Sequence, residues 1–543
     1  MTRFDLLLTK GQIVNGTGNP WFYSDIGIKK GKILKIGKLQ RSEAERTLDA
    51  DGFTICPGFI DAHSHSDMVI PFNPNLNSAL HQGVTTLITG QCGYSLAPVT
   101  ASNRELLINS LSPFTPQNTS LDISWLTFEE YLQWEIQQEP AANIGHLLGH
   151  GTLRIAVLGI EDRDPSLAEL NKMKQLVAEA MHAGALGIST GLIYPPGIYA
   201  KTLELVELAK IVATFGGIYA SHIRGEGRTL IKAVNEAITI GETAHLPIEI
   251  SHHKASGCSY WGQTSNTLRI IDDARTRGID VTYDQYPYTA GMTSLVTLLP
   301  PWVHEGGLKA LLNRLTSLPL RKQIRKDMEN GLPGWENIGV TNGWEKIRVS
   351  SVKTESNRVL QGKTLKEIAD ERESSDVFTV LFDLILEEEG EATMIIFSMC
   401  EDDVRQVLVH PAQMVGSDSW STTPNGVMGN WKPHPRFYGT YPRILGKYVR
   451  EEKILTFEDA IRRMTAFPAQ RYGLHDRGVI REGAWADLVV LDAENVMDRA
   501  DYDDPHRYPC GVQYVLVNGE IVIDEGRNTG IRVGQVISKQ PSR

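Results

Sequence analysis

The sequence predicts an α/β protein: a distorted (β/α)8 TIM barrel, with a small β domain that both chain ends build together. Three observations predict it. Eight short apolar runs of strand length alternate with amphipathic stretches through the middle of the chain, the pattern of parallel βα units. Both ends read instead as short strands broken by glycine turns. Chemically distinctive side chains fall at the C-terminal end of several of the eight runs, where barrel proteins keep their sites.

At the start, Asp5–Thr9, Ile13–Val14, Ile26–Lys29 and Ile33–Ile36 read as strands, with Gly16, Gly18, Gly31 and Gly37 between them. Barrel strands are expected at Phe59–His63, Thr85–Gly90, Ile144–Gly149, Leu186–Thr190, Ile218–His222, Ile248–His252, Asp280–Tyr283 and Met414–Ser417. Leu203–Phe215 and Leu230–Ala244 carry apolar residues at three- and four-residue spacing, as helices packed on a sheet do. From about residue 291 to 350 the rhythm breaks around Pro300, Pro301, Trp335 and Trp344. That stretch is expected as an insertion over the barrel mouth. The tail returns to strands at Asp487–Leu491, Val512–Asn518 and Glu520–Asp524, with a turn at Gly519. Chain termini often lie close together, so the expected domains are 1–55 with 476–543, and 56–475 with the insertion inside it.

Composition narrows the function. With 54 basic and 65 acidic residues, the net charge of −11 argues against a nucleic-acid partner, which needs a basic face. No apolar run approaches the roughly 18 residues of a membrane span, so no membrane partner is expected. The apolar run before Thr9 is too short for a signal-peptide core. Five cysteines, odd in number and sparse, do not make a disulfide framework and favour a reducing, cytoplasmic compartment.

The strongest chemical signal is PGFIDAHSHSD at 57–67, where an apolar strand ends in His63-Ser64-His65. Strand alternation puts both imidazoles on one side, an arrangement suited to a divalent transition metal such as zinc. Other strand ends carry Cys92, His222, His252-His253-Lys254 and Asp418. Each alone has an ordinary structural explanation: Cys92 as a small buried apolar residue, His222 as a hydrogen-bonded core histidine, Asp418 as a turn cap. All of them on one rim is what a metallohydrolase needs, because a metal acidifies water and a nearby carboxylate takes its proton.

On these residues the chain resembles the amidohydrolase superfamily, and within it the D-aminoacylases (N-acyl-D-amino-acid deacylases). The motifs that carry the resemblance span nearly the whole chain: PGFIDAHSHSD, GQCGYS, STGLIYPPG, SHIRGEG, ISHHKASG, DQYPYTAG, GSD, PHPRFYGTYPR and GAWADLVVLD. It implies zinc-dependent hydrolysis of N-acyl-D-amino acids, small-molecule substrates, to a carboxylate and a free D-amino acid. One zinc is implied as tightly held by Cys92, His222 and His252, with a second, variably occupied position at His63 and His65. Cys92 is implied as a thiolate, and His253 stands beside His252 as the rival ligand. Asp418 is implied as the catalytic carboxylate, and Lys254, Arg436, Tyr194 and Tyr286 as substrate contacts. A guanidinium fork and an ammonium suit the free α-carboxylate. Two departures are visible: seventeen residues separate Asp418 from Arg436, with Trp420–Trp431 as an apparent insertion, and Ile193 and Met292 replace the family's usual aromatic and small polar residues. The alternative enzymatic reading is a cyclic-amide hydrolase of the dihydropyrimidinase or dihydroorotase kind, which bridges two metals with a lysine on strand four; here that strand runs into Ser189–Tyr194 without one. A non-catalytic binding protein on the same fold is the third reading, and it would be expected to have lost ligands that this chain keeps.

Overall fold

The computed structural model describes residues 3–372 and 376–539; residues 1–2 and 540–543 of the expected end domain, and 373–375, lie outside the described residues. Eight parallel strands form the barrel: β1 Phe59–Asp61, β2 Val84–Thr89, β3 Asn143–His146 with its continuation Leu148–Gly149, β4 Gly187–Gly191, β5 Ile218–His222, β6 Ile248–Ile250, β7 Val281–Gln285 and β8 Gln413–Val415. They pair in chain order from β1 to β8. The ring closes where the Ala62 amide donates to the Val415 carbonyl at 3.3 Å and Ser64 bridges Ser419 in parallel. All eight expected runs are therefore strands, although β1, β6 and β8 keep only three regular residues each.

The residues explain the architecture. Every residue of VTTLIT in β2 and VTYDQ in β7 is buried, because a parallel barrel strand has side chains inside and helices outside. The helix Leu230–Ala244 lies where the spacing predicts it and buries Leu230, Ala233, Val234, Ala237, Ile238 and Gly241, one continuous stripe. The helix Leu167–Ala183 starts with a reciprocal cap between Ser166 and Glu169. It stops at Gly184, whose φ of 118° a side chain would resist.

A nine-stranded sheet takes strands from both ends. Phe4–Ile13 runs beside Thr54–Pro57, which pairs antiparallel with Leu488–Leu491; Val512–Val517 and Glu520–Asp524 extend the same sheet. The tail does not stay there. Val536–Ile537 runs parallel to β3, with Val536 opposite Ile144, held by the Gln535 amide donating to Asn143 Oδ1 at 3.1 Å.

The insertion is longer than the expected 291–350. Its three antiparallel strands are Gly291–Ser294, Thr393–Ile396 and Ile347–Ser351, with Thr393–Ile396 in the middle. The central strand arrives last in the chain, so the segment runs on to Ile396. Its helices close over a core of their own, around Leu298, Leu311, Ile324, Leu381, Ile385 and Met394.

Candidate metal and substrate site

The C-terminal ends of the barrel strands converge on one cavity of about 890 Å³, and the insertion supplies part of its other wall through Met292, Thr293, Glu336, Ile338 and Ile396. Its floor carries Cys92, His222, His252 and Asp418, with His65, Tyr194, Lys254, Tyr286 and Arg436 around it. His63 lies fully buried just beneath.

Cys92 Sγ stands 3.3 Å from His63 Nε2, 3.4 Å from His252 Nε2 and 3.8 Å from His222 Nδ1. Asp418 Oδ1 lies 3.5 Å from His63 Nε2 and 3.3 Å from His65 Nε2. The ligand-type atoms of His63, Cys92, His252 and Asp418 all lie within 4.8 Å of one another, as do those of His222, Glu226 and His252. Atoms at ligand distance from one tetrahedral zinc stand about 3.3–3.8 Å apart, so the first cluster has the right dimensions. Its chemistry fits too. Burial, with the charges of Asp418 and Asp284 behind it, pushes the Cys92 thiol well up, so a thiolate there calls for a cation. His222 Nε2 is buried without a hydrogen-bond partner.

The two groups that the resemblance implies, His63 with His65 and Cys92 with His222 and His252, meet at Cys92 Sγ, which lies near His63, His252 and His222 alike. His63 approaches Cys92 more closely than His222 does. The cause is Asp284 at the end of β7, whose Oδ2 lies 3.1 Å from His63 Nδ1 and so turns Nε2 inward. Asp284 Oδ1 also accepts the His252 amide at 2.9 Å. Gly416 makes room for this carboxylate, since a Cβ there would meet Asp284 Oδ1 at 2.7 Å. His65 reaches the cluster through Asp418. Of the adjacent histidines, His252 faces Cys92, whereas His253 turns away to Thr267 Oγ1 at 2.8 Å. Three floor residues have left-handed backbone: Cys92 at φ 53°, His252 at 36° and Asp418 at 49°. Such angles are uncommon for non-glycine residues, and three of them meet on this one floor.

The cations are already engaged. Arg436 Nη1 lies 2.9 Å from Asp418 Oδ2, poorly aligned, so its Nε and Nη1 lack a proper acceptor. Burial alone would raise the Asp418 carboxyl, but the charges of Arg436, His252 and His63 outweigh it and hold it well below the usual range. Lys254 Nζ lies 2.5 Å from Glu226 Oε1. The ring of Tyr286 sits beneath both cations, 4.6 Å from the Arg436 guanidinium and 5.6 Å from Lys254 Nζ. Tyr194 packs edge-on to His222 at 5.0 Å and bonds Thr293 at 3.2 Å.

Sequence reasoning missed Asp284, Glu226 and Glu336. Glu226 lies 3.1 Å from His252 Nδ1 and its spacing of four from His222 in SHIRGEG was a usable signal. Trp420, beyond Asp418, also lines the cavity and stacks on Trp431 at 5.4 Å.

Residues 46–523 match the profile of the amidohydrolase family. The chain is 34% identical to the N-acyl-D-glutamate deacylase of Alcaligenes xylosoxydans xylosoxydans over 99% of its length and 98% of that protein. It is 34% identical to the D-aminoacylase of the same organism, again over 99% and 98%. The crystal structure of N-acyl-D-glutamate deacylase from Bordetella bronchiseptica, complexed with zinc and a phosphonate mimic of the tetrahedral intermediate, superposes with a TM-score of 0.80 at 34% identity, covering 99% of this chain and all of that one.

Proposed function

Because the chain belongs to the amidohydrolase family, we propose that it is a zinc-dependent deacylase that hydrolyses N-acyl-D-amino acids to a carboxylate and a free D-amino acid. The observation that carries this reading is one cavity with a buried Cys–His–carboxylate cluster on its floor and two cations, Lys254 and Arg436, beside it.

His63, Cys92, His222 and His252 would hold the metal, with His65 and Asp418 beside it. Zinc, when bound there, supplies Lewis-acid polarisation of the acyl carbonyl and acidification of water. Asp418 takes the proton from the attacking water and returns it to the leaving amine; its place between His63, His65 and Arg436 supports that role. Asp284 orients His63, and Glu226 fixes Lys254 and His252. Lys254 and Arg436 receive the free α-carboxylate over the face of Tyr286. With the carbonyl and carboxylate both fixed, the side chain has one direction left. The mirror-image substrate would leave a buried charge unpaired, which costs enough for a large preference.

The remaining cavity wall is largely apolar, with Ile193, Met292, Ile338 and Ile396 beside the polar Ser256, Thr293, Glu336 and Ser398, and among the described residues Lys254 and Arg436 are its only lysine or arginine. The reading therefore extends to apolar D-side chains over acidic ones. The experiment is a panel of N-acetyl-D- and N-acetyl-L-amino acids with zinc content measured on the same sample. Hydrolysis of D-leucine and D-methionine derivatives, with the L-forms untouched, is expected; equal rates for both enantiomers overturn the assignment.

A further inference from the structure

A second cavity, of about 600 Å³ with its opening to solvent included, lies behind the first. Tyr94, Phe114 and Tyr194 line both and form the partition, with the Tyr94 ring 5.4 Å from Phe114 and 5.4 Å from Tyr194. Beyond it the walls come mainly from the insertion (Val296, Thr297, Leu308, Leu311) with Ile160 and Ser110.

The two chambers differ in charge. The first is lined by Glu226, Lys254, Glu336, Asp418 and Arg436. Among the described residues, the second is lined by no Asp, Glu, Lys or Arg. Its one histidine, His304, is taken down to about 4 by burial and is neutral near pH 7. Such a chamber suits an uncharged, apolar group and nothing ionic.

Its position says which group. Lys254 follows β6 and Arg436 follows β8, whereas Tyr94 follows β2 and Tyr194 follows β4, across the ring of strands. The cluster around Cys92 lies between them. An N-acyl amino acid carries its α-carboxylate on one side of the scissile amide and its acyl chain on the other. With the carboxylate at Lys254 and Arg436, the acyl chain runs toward the aromatic partition.

We infer that the second chamber receives the far end of a linear, medium-length fatty acyl group, so that the preferred substrates are N-fatty-acyl-D-amino acids longer than the acetyl derivatives. This rests on the deacylase reading above.

The test is a series on one D-amino acid, D-leucine, acylated with acetyl, butanoyl, hexanoyl, octanoyl and decanoyl groups, on zinc-loaded full-length protein. Each methylene buried is worth up to about fourfold in kcat/KM, so the octanoyl derivative should exceed the acetyl one by at least tenfold. Thr297→Phe and, independently, Ser110→Phe fill the chamber and should remove most of that gain while leaving acetyl turnover within about twofold. Phe114→Ala widens the partition and should raise octanoyl turnover further. A flat chain-length profile with active acetyl substrate overturns this inference and leaves the deacylase reading standing. Sensitivity of a long side chain, in N-acetyl-D-2-aminodecanoate, to Thr297→Phe without sensitivity of the acyl series also overturns it. No hydrolysis at any length overturns both.

Discussion

The strand ends of the barrel and the insertion that faces them enclose the same cavity but are held in different ways. On the barrel side each chemical group is fixed by another buried polar group: Asp284 grips His63 and the His252 backbone, and Asp418 bridges His65 and Arg436. The insertion instead sets its cavity-facing residues from an apolar core of its own. Changes on the barrel side should therefore be felt as lost chemistry, and changes on the insertion side as altered fit.

The largest expected effect is at Asp418. Asp418→Asn removes the proton carrier and leaves the other ligand atoms in place, so kcat should fall about 10²- to 10⁴-fold with zinc retained by elemental analysis. Turnover within tenfold of wild type would move the base elsewhere. Asp284→Asn disturbs what orients His63 and anchors the His252 backbone, and such changes weaken metal affinity by about 10- to 100-fold; competition with a chromogenic chelator reads this directly, and unchanged affinity would reduce Asp284 to packing. Arg436→Ala should raise KM for N-acyl-D-amino acids about tenfold or more and much less for the matching amides, in steady-state kinetics of both. Equal losses would make Arg436 a support for Asp418 alone.

On the insertion side, Ile338→Ala should shift kcat/KM between small and large D-side chains by less than about tenfold, with the D-over-L preference intact. A collapse of all turnover would erase the distinction between the two regions. The smallest effect belongs to the contact between them. Glu336 accepts backbone hydrogens from Glu226, Gly227 and Arg228, yet burial pushes its carboxyl up to about 7 from 4.5. Between those values the folded chain keeps a proton that the unfolded chain gives up, so stability falls as pH rises from about 4.5 to 7 and levels off above. Glu336→Gln should flatten that part of a Tm-against-pH curve; an unchanged slope would assign it to other groups.

The barrel side was legible because its signals are local. Period-two alternation points to His63 and His65 together and His252 apart from His253, and the side chains fall that way although β1 ends at Asp61, β6 ends at Ile250 and His252 has left-handed backbone. Asp284 was overlooked although VTYDQ shows it, a lone carboxylate inside an otherwise buried parallel strand. The insertion's true extent was not legible, because Thr393–Ile396 reads like any short apolar strand. Only its pairing with residues about fifty and a hundred positions earlier shows where it belongs. The departure of Val536–Ile537 from the terminal sheet was hidden for the same reason.

That last pairing has a consequence for synthesis. β3 meets its outer neighbour through Asn143 and Gln535, 392 residues apart. A ribosome adding roughly 5–20 residues per second needs about 20 to 80 s to cover that distance. Throughout that interval the emerging barrel shows one edge of Ile144–Gly145 with its final partner not yet made, next to apolar strands already outside the ribosome. Holding factors that shield such edges during translation, and slower elongation or lower temperature in a foreign host, should decide the yield of native protein more than any property of the finished fold.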